Sequence, residues 1–130
     1  QILFTQGISR YMSRFKAGSI VNIASTAGLI GDAGTTSYGS SKAALMFATR
    51  TMATELGEMN IRVNAIAPSI TKTDMFDQME EKARNKLIES SALKRPAEAI
   101  EVANAVLFLA SDLSSFVTGQ VLRVDGGLTK

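Results

Sequence analysis

Three short apolar runs of strand length, kept apart by longer segments of helical period, constrain this chain more than any other feature. Ser19-Ile-Val-Asn-Ile-Ala-Ser25, Ile61-Arg-Val-Asn-Ala-Ile-Ala67 and Val121-Leu-Arg-Val-Asp125 each read as a strand, the second stopped by Pro68 and the third by Gly126-Gly127. A segment from about Ser37 to Gly57, rich in Ala, Met, Leu and Thr, follows the first run. After the second come an amphipathic stretch over 74–90, with Met75, Phe76, Met79, Ala83 and Leu87 at its apolar positions, and a strongly apolar helix from Glu98 to Ala110. Strands joined through helices pair in parallel, because the connection carries the chain back to the starting end of the sheet. The pattern therefore predicts an α/β fold, a doubly wound parallel sheet of three strands with flanking helices. The chain has 130 residues, 45% of them apolar, which suits one domain with its own core.

Smaller features set further expectations. Phe4, Ile8, Tyr11, Met12 and Phe15 fall at the spacing of one helix face in an opening helix over Gln1–Lys16, which Ala17-Gly18 interrupts. Gly57 stands where a helix C-cap belongs. Asn64 is expected to satisfy a neighbouring loop, and Asp125-Gly-Gly127 to form a turn rather than a ligand site. The first strand is apolar on both faces, so it expects helices on each side and a strand on each edge.

Composition excludes several chemistries. With no His and no Cys, the sequence has no disulfide, no Cys/His metal site and no Ser–His–Asp or Cys–His triad of its own. No metal site is expected. Net charge is +2 with the basic residues scattered, whereas nucleic-acid binding calls for a clustered stripe. No apolar run is long enough for a membrane span. The expectation is a cytoplasmic protein acting on neither nucleic acid nor membrane.

What remains is a trio. Ser25 closes the first strand, and Tyr38 and Lys42, four residues apart at the head of the next helix, lie on one helix face. Taken alone, such a pair reads more readily as a half-buried aromatic beside a solvated charge. Its context points to chemistry, because ligand sites of open α/β sheets lie beyond the carboxyl ends of the strands. An ammonium about 5 Å from a phenol, at an effective dielectric near 20, favours the phenolate by about 3 kcal/mol, much of what acid–base work near neutral pH requires. Ser25 would donate a hydrogen bond to the same substrate oxygen. Nothing in the trio moves electrons, so a hydride must come from a cofactor.

These residues carry a resemblance. The stretches Ile20-Val-Asn-Ile-Ala-Ser-Thr-Ala-Gly28, Tyr38-Gly-Ser-Ser-Lys42-Ala-Ala, Ile61-Arg-Val-Asn-Ala-Ile-Ala-Pro68, Ala103-Asn-Ala-Val-Leu-Phe-Leu-Ala-Ser-Asp112 and Thr118-Gly-Gln-Val-Leu-Arg-Val-Asp-Gly-Gly127 resemble the later half of a short-chain dehydrogenase/reductase domain. The similarity covers essentially the whole chain and is nearest to β-ketoacyl-acyl-carrier-protein reductases and related sugar or steroid dehydrogenases. It implies a Rossmann-like sheet and an NAD(P)-dependent interconversion of a carbonyl and a secondary alcohol, with 3-oxoacyl-acyl-carrier-protein reduction as one candidate. NAD and NADP are not distinguished. The resemblance further implies that Ser25 orients the carbonyl and Tyr38 is the acid or base. Lys42 would also hold the cofactor ribose, while Pro68, Ser69, Thr71 and Thr73 contact its nicotinamide end and phosphates. Met75, Phe76 and Met79 would then form the inner face of a substrate lid, although core packing at helical spacing explains them equally well.

Two positions depart from the family pattern. Ser69 stands where Gly is usual, which would matter if that position needs a positive φ. Ala99 stands where Pro usually opens the next helix. Residues 1–130 carry no glycine-rich phosphate loop of the family's kind, so the expectation is a partial domain: the catalytic and substrate half without the dinucleotide-phosphate half. One alternative follows, a non-catalytic chain serving only in folding or oligomerisation. The helix after Tyr38 spreads apolar residues (Ala43, Ala44, Leu45, Met46, Phe47, Ala48, Met52, Ala53, Leu56) more than halfway around, more than one sheet face can cover. That surplus predicts a homodimer or a homotetramer built from such dimers.

Overall fold

A computed structural model describes residues 2–129; Gln1, which the sequence places in the opening helix, lies outside them. The elements in order are helix α1 (Ile2–Met12), strand β1 (Gly18–Ile23), helix α2 (Thr36–Leu56), strand β2 (Ile61–Pro68), a one-turn helix α3 (Asp74–Asp77), helix α4 (Glu81–Ser90), helix α5 (Ala99–Ala110) and strand β3 (Val121–Val124). The strands form one sheet in the order β1-β2-β3, parallel throughout, with Gly18 opposite Ile61 and Ala65 opposite Val121. This is the α/β architecture the alternation predicts, and the 74–90 stretch divides into the pair α3 and α4.

Side chains alternate across β2, and each face meets a different layer. Ile61 and Val63 join Ile20 of β1 in a core closed by Met52 and Ala53 of α2, with Ile8 and Met12 of α1 against it. Farther along, Ala24, Ala65 and Ala67 pack with Met46. Alanine at these positions lets α2 lie close to the carboxyl ends of the strands, where the site is built. A buried hydrogen bond fixes its height: Asn22 Nδ2 donates to Thr49 Oγ1 at 2.9 Å, and both side chains are buried. Lost partners there would leave desolvated polar groups, so the pairing resists sliding.

The opposite face meets α5. Ser19 Oγ and Arg62 Nη1 both donate to the Leu109 carbonyl, at 2.9 and 2.8 Å, and Arg62 also reaches Ser114 Oγ and the Ser111 carbonyl. One guanidinium thus satisfies several of the orphan acceptors around the end of α5. Asn64 does what its sequence context suggests: Nδ2 donates to Val117 O at 2.8 Å and Oδ1 accepts from Gln120 N at 3.0 Å. Among the described residues no buried side-chain polar atom lacks a partner.

Three expectations change. The opening helix ends at Met12 rather than Lys16; its buried positions are Thr5 and Ser9, flanked by Ile8 and Met12, while Phe4 (73% exposed), Tyr11 and, in the turn beyond, Phe15 face outward. Small side chains let the helix lie close to its neighbours, and Phe would hold it away; Tyr11 and Phe15 meet each other at a tilt of 59° instead, ring centroids 5.2 Å apart. Gly57 stands at the C-cap but with right-handed φ −59°; a 3-10 turn prolongs the helix and the left-handed residue is Asn60, φ 55°. β1 stops at Ile23, two residues short of Ser25, and is covered fully on only one face: Ile20, Asn22 and Ala24 are buried whereas Ile23 is 43% exposed.

Candidate active site

The two strands that end side by side, β1 and β2, place the first functional groups. Beyond β1 the backbone of Ala24 still donates to Ile66 O at 2.8 Å. Ser25 then caps a 3-10 turn over Thr26–Gly28, its Oγ accepting from Ala27 N at 3.2 Å. Thr26, buried, donates through Oγ1 to Pro68 O at 3.3 Å and so ties that turn to the end of β2. Ser25 is therefore held by a cap and a cross-strand tie rather than by the strand ladder itself.

The turn then lies directly on the backbone of α2. A Cβ on Gly28 would sit 2.6 Å from Ala43 N and 2.8 Å from Lys42 C. Only glycine permits that approach, because the clash would be with main chain and not with a yielding side chain. The result is that Ser25, at the start of the turn, is brought to the helix turn that carries Tyr38 and Lys42. Lys42 Nζ donates to Ile23 O at 3.0 Å and lies 5.6 Å from the centre of the Tyr38 ring. Tyr38 is 46% exposed and opens to the cavity in front of it.

That cavity, about 460 Å³, collects every residue the sequence singles out: Ser25, Tyr38, Lys42, Pro68, Ser69, Thr71, Thr73, Met75, Phe76 and Met79 all line it. Its size is that of a small-molecule site. Beyond β2 the chain turns along the cavity through Ser69–Thr73, where Thr71 Oγ1 donates to Ser69 O at 3.1 Å. A parallel bridge pins this segment to the start of α5, Ala97 N donating to Ile70 O and Lys72 N to Ala97 O. An ion pair between Lys72 and Glu98 lies beside it. Ser69 is not among the residues with positive φ, so Ser fits there without backbone strain. Ala99 opens α5 behind a capping box, Glu98 and Glu101 each accepting from the other's backbone, so the absent proline is replaced by side-chain caps.

On another part of the wall, α3 presents Phe76, half-buried, and Met75, 68% exposed, and the link to α4 presents Met79, half-buried. The Arg84 guanidinium covers the outer side of the Phe76 ring at 4.9 Å. A methionine that exposed is not core, which favours the cavity-facing reading of this trio over the packing one.

Sequence reasoning missed part of the wall. Ile30, Asp32 and Thr35, from the loop between Ser25 and Tyr38, line it, as do Leu87 of α4, Val102 of α5 and Leu128. Leu87 was visible in the helical period of α4; Leu128, beyond the last strand and its expected turn, carries no sequence signal. One ionic feature stands beside the site. Arg95 forms a two-pronged pair with Glu101 at 2.7 Å, and the guanidinium holds the Glu101 carboxyl down to about 2. Among the described residues no cluster of acidic side chains could hold a metal ion, and no helix is long and apolar enough to cross a membrane.

Comparison with known proteins gives the same picture. A family model described as enoyl-(acyl carrier protein) reductase matches residues 1–129. A 3-oxoacyl-[acyl-carrier-protein] reductase of Thermotoga maritima is 48% identical over 124 residues, 95% of this chain and 50% of that protein. Among solved structures, a short-chain type dehydrogenase/reductase from Mycobacterium ulcerans superposes with a TM-score of 0.86 and 37% identity over 92% of this chain and 44% of that one. A 7α-hydroxysteroid dehydrogenase complexed with NADH and 7-oxo glycochenodeoxycholic acid gives 0.92 and 38% over 96% of this chain and 49% of its own. The chain spans about half the length of these relatives.

Proposed function

Because this chain belongs to the short-chain dehydrogenase/reductase family, we propose that it supplies the catalytic and substrate half of an NAD(P)-dependent oxidoreductase that interconverts a carbonyl and a secondary alcohol. One observation carries the proposal: Ser25, Tyr38 and Lys42, delivered by a strand end and a separate helix, open onto a single cavity at the carboxyl end of the sheet. In the reducing direction the Tyr38 hydroxyl gives its proton to the substrate oxygen as charge develops there, and in oxidation the phenolate takes that proton back. Ser25 donates a hydrogen bond to the same oxygen and fixes its place. The Lys42 ammonium, oriented by the Ile23 carbonyl, stands 5.6 Å from the Tyr38 ring, where it also faces the cavity.

The donors around the cavity suit a nicotinamide cofactor. Lys42 uses one of its three donors on Ile23, leaving others for ribose hydroxyls, and Thr71 and Thr73 bring hydroxyls to the wall that starts at Pro68 and Ser69. Bound there, NAD or NADP supplies the hydride that no side chain can. The largely aliphatic and thioether wall of Ile30, Met75, Met79, Leu87 and Leu128 suits an apolar substituent on the carbonyl carbon. Reduction of 3-oxoacyl-acyl-carrier-protein is the specific activity that the 48% identical relative supports; the cytoplasm is the place proposed for it.

Assembly as a homodimer, or a homotetramer of dimers, belongs to the same proposal. Leu3, Phe4 and Phe47 are 83%, 73% and 69% exposed on α1 and α2, and none of them lines the cavity. A second copy would cover them. The direct test of function is reduction of 3-oxoacyl thioesters and simple ketones by the full-length protein that carries this sequence, followed by loss of NADH or NADPH absorbance. Absence of turnover with every substrate and both cofactors would sink the reading.

A further inference from the structure

Among the described residues, Leu128 is the one cavity residue that comes from beyond the last strand, and it is fixed from several sides. After β3 ends at Val124, the Asp125 carboxylate accepts from Gly127 N at 3.1 Å and from Arg123 Nε at 2.6 Å. Gly126 and Gly127 both take left-handed φ, 61° and 74°, which reverses the chain with little strain only because they are glycines. A Cβ on Gly127 would fall 2.9 Å from Ala92 Cβ, so the reversed segment lies flush against residues 90–93. Leu93 N and Ala92 N donate to the Gly126 and Gly127 carbonyls at 3.0 and 3.1 Å, Thr129 N and Oγ1 donate to Ser90 O at 3.1 and 3.0 Å, and Arg123 Nη2 donates to Leu128 O at 2.8 Å. Leu128 is consequently only 6% exposed and points its side chain into the cavity wall.

Met75, which also lines the cavity, is different in kind: an unbranched thioether, 68% exposed, on a helix of four residues, it can change shape to suit a ligand. Leu128 is branched, and its backbone cannot retreat without breaking the ties to Ser90, Ala92 and Leu93. Of the two lining side chains, the one that cannot yield sets the room available.

We infer that Leu128 determines substrate specificity by limiting the length and branching of the apolar substituent on the carbonyl carbon, with Arg123, Asp125 and Gly127 as positioning residues that aim it. The inference deepens the function proposed above and rests on the cavity being the substrate site. A hydrophobic pocket discriminates by roughly 10–200-fold per methylene, so removing most of the Leu128 side chain has a readable effect.

The test is a chain-length profile in the full-length protein, using straight-chain 3-oxoacyl thioesters of increasing length, for wild type, Leu128→Ala and Leu128→Phe. Leu128→Ala should raise kcat/KM for long relative to short substrates by about 10-fold or more, and Leu128→Phe should move the optimum to shorter chains, with cofactor Kd unchanged in both. Leu128→Val replaces the Ala variant if that one fails to fold. The same profile is read without turnover as thermal stabilisation by straight-chain ketones of increasing length. If turnover is absent but the stabilisation profile shifts with residue 128, the proposed reaction falls and the inference stands. If folded variants keep the wild-type profile by both measures, Leu128 is only packing and the inference is overturned.

Discussion

The Lys42 ammonium donates a 3.0 Å hydrogen bond to the main-chain carbonyl of Ile23, the last residue of β1. This bond joins the helix that carries Tyr38, the proposed general acid or base, to the strand that leads to Ser25, across nineteen positions of sequence. It also aims a flexible side chain: Nζ stands 5.6 Å from the Tyr38 ring instead of extending into water.

Replacing the phenol tests proton transfer. Tyr38→Phe in the full-length protein should lower kcat by about 100-fold or more while leaving cofactor Kd within about twofold, because the ring is kept and only the transferable proton is lost. Steady-state kinetics with a parallel cofactor titration decide it; a variant with more than about a tenth of wild-type turnover contradicts the assignment.

Lys42→Met removes the cation that stands by the phenol. Cofactor binding should weaken by about 10-fold or more, since the donors that Lys42 does not spend on Ile23 are lost to the ribose hydroxyls. An unchanged cofactor Kd would mean that Lys42 serves only as a surface charge.

Gly28→Ala tests how the turn seats on α2. A methyl group 2.6 Å from Ala43 N has to push the turn off the helix, a strain of about 1–3 kcal/mol, and Ser25 moves with it. Activity should fall more than melting temperature suggests, with kcat affected more than cofactor binding. A variant as active as wild type would show that Ser25 tolerates that movement.

Glu101 predicts an acid dependence. Its carboxyl is held to about 2 from an ordinary 4.5 by the hydrogen bonds from Arg95 and from the Glu98 backbone. A lowered folded-state value means stability present in full above about 4.5 and lost as pH falls through about 2. Glu101→Gln should therefore melt at lower temperature than wild type at neutral pH, by a modest margin because the pair is solvent-exposed, and the gap should close as pH drops toward 2. Melting curves at several pH values check this; a gap that persists unchanged in acid would contradict the ionic origin.

The exposed aromatic face predicts assembly. Phe47→Glu, on the outer side of α2 and away from the cavity, should shift the full-length protein from dimer or tetramer to monomer in light scattering while leaving its secondary structure intact. A monomeric wild type at micromolar concentration would rule out that interface.

The sequence by itself determined the element order and the parallel sheet, because both follow from local periodicity and from the length of the connections. It also singled out Ser25, Tyr38 and Lys42, which line one cavity, because a four-residue step on a helix puts two side chains on one face wherever that helix lies. Tertiary structure decided what depends on distance between elements. Phe4 and Tyr11 of α1 have the right period for burial, yet Thr5 and Ser9 are buried instead, because close approach selects small residues over large ones. Ser69 needs no positive φ once its strand and turn are formed. Leu128 reaches the cavity only through two left-handed glycines and a set of hydrogen bonds to residues 90–93, more than thirty positions away, and no local pattern encodes a contact of that range.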